Sequence, residues 1–149
     1  MSHSLIRGEF SISTDRKALD LDLIYGFLTK SYWAACIPRD VVARSIQNSL
    51  CFGLYCGKQQ IGFARVISDY ATYAYLADVF VLDEFRGLGL GKWLMECIMA
   101  HPQLQSLRRW ALVTRDAHGL YQQYGFSALA SPERHMERYN RNVYRESQL

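Results

Sequence analysis

The chain has 149 residues, half of them hydrophobic and 21% charged, with a net charge of +3. That composition fits one globular domain spanning residues 1–149; it lacks the dense basic cluster of a nucleic-acid binder and the apolar run of roughly 18 residues that a membrane span needs. Cys36, Cys51, Cys56 and Cys97 form no Cys-x-x-Cys pair and the histidines are scattered, so no disulfide framework and no metal centre is expected, and with no apolar leader the expected compartment is the cytoplasm.

Leu5 to Ser13 reads as a first strand. Asp20 to Lys30 reads as a helix, because Leu23, Ile24, Phe27 and Leu28 recur at helical spacing. Pro38 marks the first turn of a second helix through Val41, Val42, Ser45 and Ile46, with the aromatic pair Tyr32-Trp33 in the turn between them. Three strands follow. Cys51–Cys56 ends at the turn signal Gly57-Lys58; Gln60–Ser68 carries Ile61, Phe63, Arg65 and Ile67 on one face; Tyr73–Leu82 is apolar on both faces, with Asp78 its one charge. A glycine-rich loop then leads into a helix ending near Ala100, with Leu90, Leu94, Cys97 and Ile98 as its apolar stripe. Arg109–Thr114 reads as a strand, Ala117–Tyr124 as a short helix closed by Gly125, and the tail as a further strand near His135–Asn140. This order predicts an α/β fold with a mixed, mostly antiparallel central sheet flanked by helices. The helical crossover makes Tyr73–Leu82 and Arg109–Thr114 parallel neighbours. Edge strands near the C-terminus would be open to pairing two chains as a homodimer.

The loop Arg86-Gly87-Leu88-Gly89-Leu90-Gly91 carries the chemistry. Glycines let the backbone take left-handed dihedrals and approach a ligand closely. The first helical turn offers unpaired N–H groups, and the helix dipole favours an anion beside them. Arg86 adds a charged fork suited to phosphate oxygens, and Leu88 and Leu90 can face inward as anchors. Two other phosphate loops do not fit. A Walker loop would need Gly where Arg86 stands and Ser or Thr where Trp93 stands, and a dinucleotide fingerprint would need Gly at Lys92 or Leu94.

This loop resembles the coenzyme A signature of the GNAT superfamily, Gln/Arg-x-x-Gly-x-Gly/Ala. The preceding Val79-Phe80-Val81-Leu82-Asp83-Glu84-Phe85 resembles that family's strand and turn, and Ala117-x-x-Leu120-Tyr121-x-x-x-Gly125-Phe126 resembles its second motif. The resemblance implies an acetyl-CoA-dependent N-acetyltransferase acting on a small-molecule or peptide amine. It implies that Arg86, Gly87, Leu88, Gly89, Leu90 and Gly91 hold the pyrophosphate, with the N–H groups of Leu88, Gly89 and Gly91 as donors. It also implies that the backbone of Phe80 and Val81 pairs with the pantetheine arm and that Tyr121 lies near the thioester sulfur. Thr114 stands where the family often has Asn, so its hydroxyl would take over a pantetheine contact.

Transfer to an amine requires that the amine lose a proton, since a lysine-like amine has a pKa of about 10.4. Asp78, on the strand bordering the acyl groove, is the candidate base; its other reading is an ion pair with Arg65 on the neighbouring strand. A phenol such as Tyr121, with a pKa of about 10, can protonate a departing thiolate. A backbone N–H near Phe80 or Val81 would face the carbonyl oxygen. His118 has an acid–base reading and a plain surface reading. On the acceptor side, Tyr25, Tyr32, Trp33, Tyr73 and Tyr75 could stack on an aromatic or cationic amine, and Asp69, Asp83 and Glu84 could attract one. Two other classes fit the loop: a non-catalytic acyl-CoA-binding sensor or regulatory domain, and an interaction module that binds another phosphate.

Overall fold

A computed structural model describes residues 3–146. Strand β1 (Ser4–Arg7) turns through Gly8-Glu9 into β2 (Phe10–Ser13), Arg7 facing Phe10. The single strand expected over Leu5–Ser13 is therefore a hairpin. Gly8 sits at φ +60, a conformation suited to a two-residue turn, and breaks the run. Helix α1 (Leu21–Leu28) starts where Asp20 accepts the N–H of Leu23, and α2 (Arg39–Gln47) follows Pro38. Then come β3 (Leu50–Cys56), β4 (Gln59–Ser68) and β5 (Tyr73–Val81), joined by tight connections. Helix α3 (Leu90–Met99) crosses over to β6 (Arg109–Ala111); α4 (His118–Gln122) and a last turn of helix, α5 (Val143–Glu146), complete the order.

The strands lie in sequence order, β1-β2-β3-β4-β5-β6. All neighbours are antiparallel except β5 and β6, which run parallel across the helical crossover as the sequence implied. Each face of the sheet carries its own core. Phe52, Leu54, Val66 and Leu76 pack with Leu90, Trp93, Leu94 and Ile98 of α3 on one side. On the other, Cys51, Phe63 and Phe80 pack with Ile24, Leu28, Val42 and Ile46 of α1 and α2.

A bulge in β5 sets the site. Phe63 faces Phe80 and Arg65 faces Ala77, so β5 fits two residues, Asp78 and Val79, where β4 has one. Asp78 takes a left-handed φ of 56 to do so. The extra residue reverses the alternation: Ala74 and Leu76 belong to the α3 core, but Phe80 points to the α1–α2 core.

The strand expected at His135–Asn140 does not form. Main-chain bonds in that stretch are local, from Arg134 N to Ser131 O and from His135 N to Pro132 O, and every residue from Pro132 to Val143 is exposed. Its apolar residues, Met136 and Tyr139, are three positions apart, so an extended chain would put them on opposite faces with no apolar face to bury.

Candidate active site

Two structural facts converge at the middle of the sheet. Beta-pairing between β5 and β6 covers Tyr73–Tyr75 and Arg109–Ala111, and stops there. From Leu76 to Val81, β5 keeps β4 on one side and has no strand partner on the other. Beta6 ends three residues earlier than its expected end at Thr114 because the two strands diverge. The open edge runs along Val81, whose carbonyl accepts there from Arg86 Nε (3.2 Å), while the carbonyl of Phe80 turns to β4, 2.9 Å from where a Cβ of Gly62 would stand.

The glycine-rich loop opens directly beyond that edge. Gly87 and Gly89 adopt φ of +82 and +76, and Gly89 forms the N-terminal boundary of α3. The first helical bond runs from Trp93 N to Gly89 O, so the N–H groups of Leu90, Gly91 and Lys92 have no acceptor within the helix. Gly91 is informative for a different reason. Its φ is not left-handed, and a Cβ built there would meet no protein atom within 4 Å. Neither conformation nor packing calls for glycine at that position. Space kept clear over unpaired N–H groups suits a phosphate. These features fit the pyrophosphate of coenzyme A.

Arg86 leads the loop, as expected. Its Nε donates to Val81 O and lies 3.2 Å from Asp83 Oδ1, while the guanidinium is exposed. Leu90 is buried, but Leu88 is 58% exposed. The expectation that both leucines face inward holds for Leu90 alone. Left-handed glycines on either side of Leu88 turn it outward.

Tyr121 projects from α4 into the α3-side core, 9% exposed. Burial, with a smaller contribution from Tyr32, raises its phenol pKa above the ordinary 10. Among the described residues no acceptor is bound to its hydroxyl. Thr114 Oγ1 accepts the N–H of Ala117 (3.1 Å), closing the turn before α4, and can still donate its own proton. His118 is exposed on the first residue of α4, in keeping with its surface reading.

Asp78 is held from two directions. Arg65 Nε donates to Oδ2 at 2.8 Å, and Trp33 Nε1 donates to Oδ1 at 3.0 Å. Both charged side chains are largely buried, 16% and 10% exposed. The pairing with Arg65 is the alternative contact drawn from the sequence; the Trp33 contact, spanning 45 residues, carried no sequence signal. Beside Trp33, Tyr32 makes an edge contact at 5.2 Å between centroids, and the Arg115 guanidinium lies 3.8 Å over the Tyr32 ring. Phe27 of α1 stacks on Phe80 at 4.0 Å and 8°. Phe27, Tyr32 and Trp33 thus form an aromatic wall against the bulge. Tyr25 packs at the α1–α2 core, and Tyr73 and Tyr75 lie at the paired end of β5. Asp69, by contrast, serves its own turn: it accepts the N–H groups of Ala71, Thr72 and Tyr73 and the Thr72 hydroxyl.

Among known proteins, the sequence model of the GNAT acetyltransferase domain matches residues 47–128. The chain is 32% identical to a Gibberella zeae protein provisionally named an acetyltransferase, with 77% of each chain covered. Its fold superposes on the crystal structure of a GNAT-family protein of Xanthomonas campestris pv. campestris, also provisionally an acetyltransferase, with a TM-score of 0.89 at 53% identity, covering 91% of this chain and 96% of that one. A GNAT family acetyltransferase of Elizabethkingia anophelis with acetyl-CoA bound is alike in fold, with a TM-score of 0.63 at 12% identity over 91% of each chain.

Proposed function

Because the chain belongs to the GNAT acetyltransferase family, we propose that it moves an acetyl group from acetyl-CoA to a primary amine of a small molecule or peptide by direct attack on the thioester. The observation that carries this reading is the meeting of an open β5 edge with a glycine loop in which nothing packs over Gly91 beside the unpaired N–H groups that start α3.

Acetyl-CoA supplies an acyl group already activated as a thioester. In this reading the N–H groups of Leu88, Gly89 and Gly91 hold its pyrophosphate, Arg86 adds charge, and Gly87 and Leu90 shape and anchor the loop. Val81, beside Phe80 at the open edge, orients the pantetheine arm by main-chain bonds, and the Thr114 hydroxyl donates to it. A backbone N–H near Phe80 or Val81 faces the carbonyl oxygen as negative charge develops there. Asp78 takes the proton of the attacking amine through water; each of its oxygens makes one recorded bond and retains acceptor capacity. As the nitrogen–carbon bond forms and the carbon–sulfur bond breaks, Tyr121 Oη passes its proton to the sulfur. Its raised pKa keeps it protonated for that step.

A thiol-release assay with acetyl-CoA across a panel of small amines and peptides tests the proposal. Amine-dependent release of coenzyme A supports it. Thermal stabilisation by acetyl-CoA without turnover on any acceptor would instead establish a sensor domain. Neither binding nor turnover would remove the acyl-CoA reading altogether.

A further inference from the structure

Resting on the acetyl-transfer reading above, we propose that Arg65 is a positioning residue, one that acts through Asp78 to lock the donor strand and the acceptor wall into a single frame. From β4 its guanidinium bonds two residues, and through them it reaches α2 and the Trp33 segment. Nε donates to Asp78 Oδ2 in the β5 bulge (2.8 Å), and Nη1 donates to Ser49 Oγ (3.2 Å). Ser49 passes the link on: its hydroxyl donates to Ser45 O in the last turn of α2 (2.7 Å), and its carbonyl accepts from Arg16 Nη2 (3.1 Å). On the far side of Asp78, Oδ1 holds Trp33 Nε1 in the α1–α2 connection. Alpha2, β4, the bulge and the Trp33 segment are tied by one chain of bonds, most buried at Arg65 and Asp78 and open at Trp33.

The placement has a mechanical consequence. Asp78 sits in a left-handed conformation that a non-glycine residue rarely takes, so the surroundings must hold it there. Two residues on is Phe80, whose ring stacks on Phe27, followed by Val81 on the open edge. Trp33 in turn contacts Tyr32, which is clamped by Arg115 ahead of α4. A shift of Asp78 would move the donor strand and the aromatic wall relative to each other, and would reach the loop of Arg86 to Gly91 through the bond from Arg86 Nε to Val81 O. Arg65 therefore acts first on the approach of amine to thioester and less on the grip on the donor.

The test compares wild type with Arg65→Gln, Arg65→Lys, Trp33→Phe and the double variant Arg65→Gln/Trp33→Phe. Measurements are kcat, amine KM, acetyl-CoA Kd by calorimetry, and amide hydrogen exchange. Misplacement on the order of 1 Å can lower rates about a hundredfold. Arg65→Gln is expected to lose about ten- to a hundredfold in kcat and to raise amine KM, with acetyl-CoA Kd changed by a much smaller factor than kcat. Arg65→Lys restores part of the loss. The double variant loses less than the product of the two single losses, because both cut one network. Exchange quickens in Arg65→Gln both at residues 78–81 and at 31–37. The proposal is overturned if Arg65→Gln folds and keeps kcat and amine KM. It is also overturned if Kd and kcat fall together and Lys rescues neither, since that is loss of fold alone. Should wild type show no turnover on any amine, the acetyl-transfer reading fails separately. Exchange then decides the coupling: faster exchange at both segments supports it, and a change confined to 78–81 refutes it.

Discussion

Gly91→Ala separates two accounts of the loop that otherwise predict the same fold. Gly91 is the second residue of α3, has no left-handed dihedral, and has open space where a Cβ would stand. Alanine there should stabilise the free protein by up to about 1 kcal/mol, because glycine loses more chain entropy in a helix. For a protein of this size that corresponds to a rise in Tm of roughly 2–4 °C. Ligand binding should move the other way. The added methyl would occupy the space left over the N–H groups of the first turn and would push a phosphate oxygen out of a charge-assisted bond. Losing one such bond costs about 1.5–3 kcal/mol, or about ten- to a hundredfold in Kd. Gly89→Ala makes a contrast: at φ +76 it carries strain of about 1–2 kcal/mol, so stability and affinity fall together. Scanning fluorimetry gives the Tm and calorimetry with acetyl-CoA gives the Kd. A Gly91→Ala protein that is more stable and binds acetyl-CoA as tightly as wild type would refute the cradle.

Other outcomes follow from specific contacts. Burial favours the neutral phenol of Tyr121, so any alkaline limb of kcat that belongs to it lies above pH about 10; Tyr121→Phe should lose on the order of a hundredfold or more in kcat with acetyl-CoA Kd retained, read from pH–rate profiles of both proteins. Bonds from the Thr72 hydroxyl and then from N–H groups hold the Asp69 carboxyl far below its usual range. Its contribution to stability is therefore complete above pH about 4 and fades as pH falls further, and Asp69→Asn should flatten that part of a stability–pH curve. A Cβ at Gly62 would lie 2.9 Å from the carbonyl oxygen of Phe80 and 2.8 Å from Leu54 Cδ2, so Gly62→Ala must displace β5. Urea unfolding should show a loss of about 1–3 kcal/mol, and unchanged stability would show that the strands have slack. Burial drives the Cys51 thiol up to about 12 and the Cys97 thiol up to about 11, so both should resist alkylation at pH 8 in the native protein and react once it is unfolded.

Short-range signals were legible in the sequence wherever the local pattern and the tertiary fold agree. Leu90, Leu94, Cys97 and Ile98 announce α3, Gly57 closes the β3–β4 turn at φ +59, and Asp20 caps α1. The spacing of the loop and of Tyr121 to Gly125-Phe126 carried the family. Failures came where a residue obeys contacts far along the chain. Asp78 lies in an apolar run that reads as regular strand, and its left-handed turn is imposed by Arg65 and Trp33. Leu88 alternates with glycines as Leu90 does, yet dihedrals on either side decide its direction. The stretch His135–Asn140 was expected as a strand, yet it has no periodic apolar face to bury and every residue in it is exposed.

The parallel seam of β5 and β6 has a consequence for assembly. Beta1–β2, β3–β4 and β4–β5 pair across short turns, whereas β2 reaches β3 through α1 and α2 with four registered pairs and β6 reaches β5 through α3 with three. Distant pairing is slow to form and, where it is short, first to open. The β5–β6 seam, with the fewest registered pairs, is therefore the loosest joint of the sheet. On the proposed reading, a donor lying along β5 and bonded at the start of α3 would bridge that joint, so the substrate would serve the protein as a removable staple, and each release of product would return the seam to its weakest state.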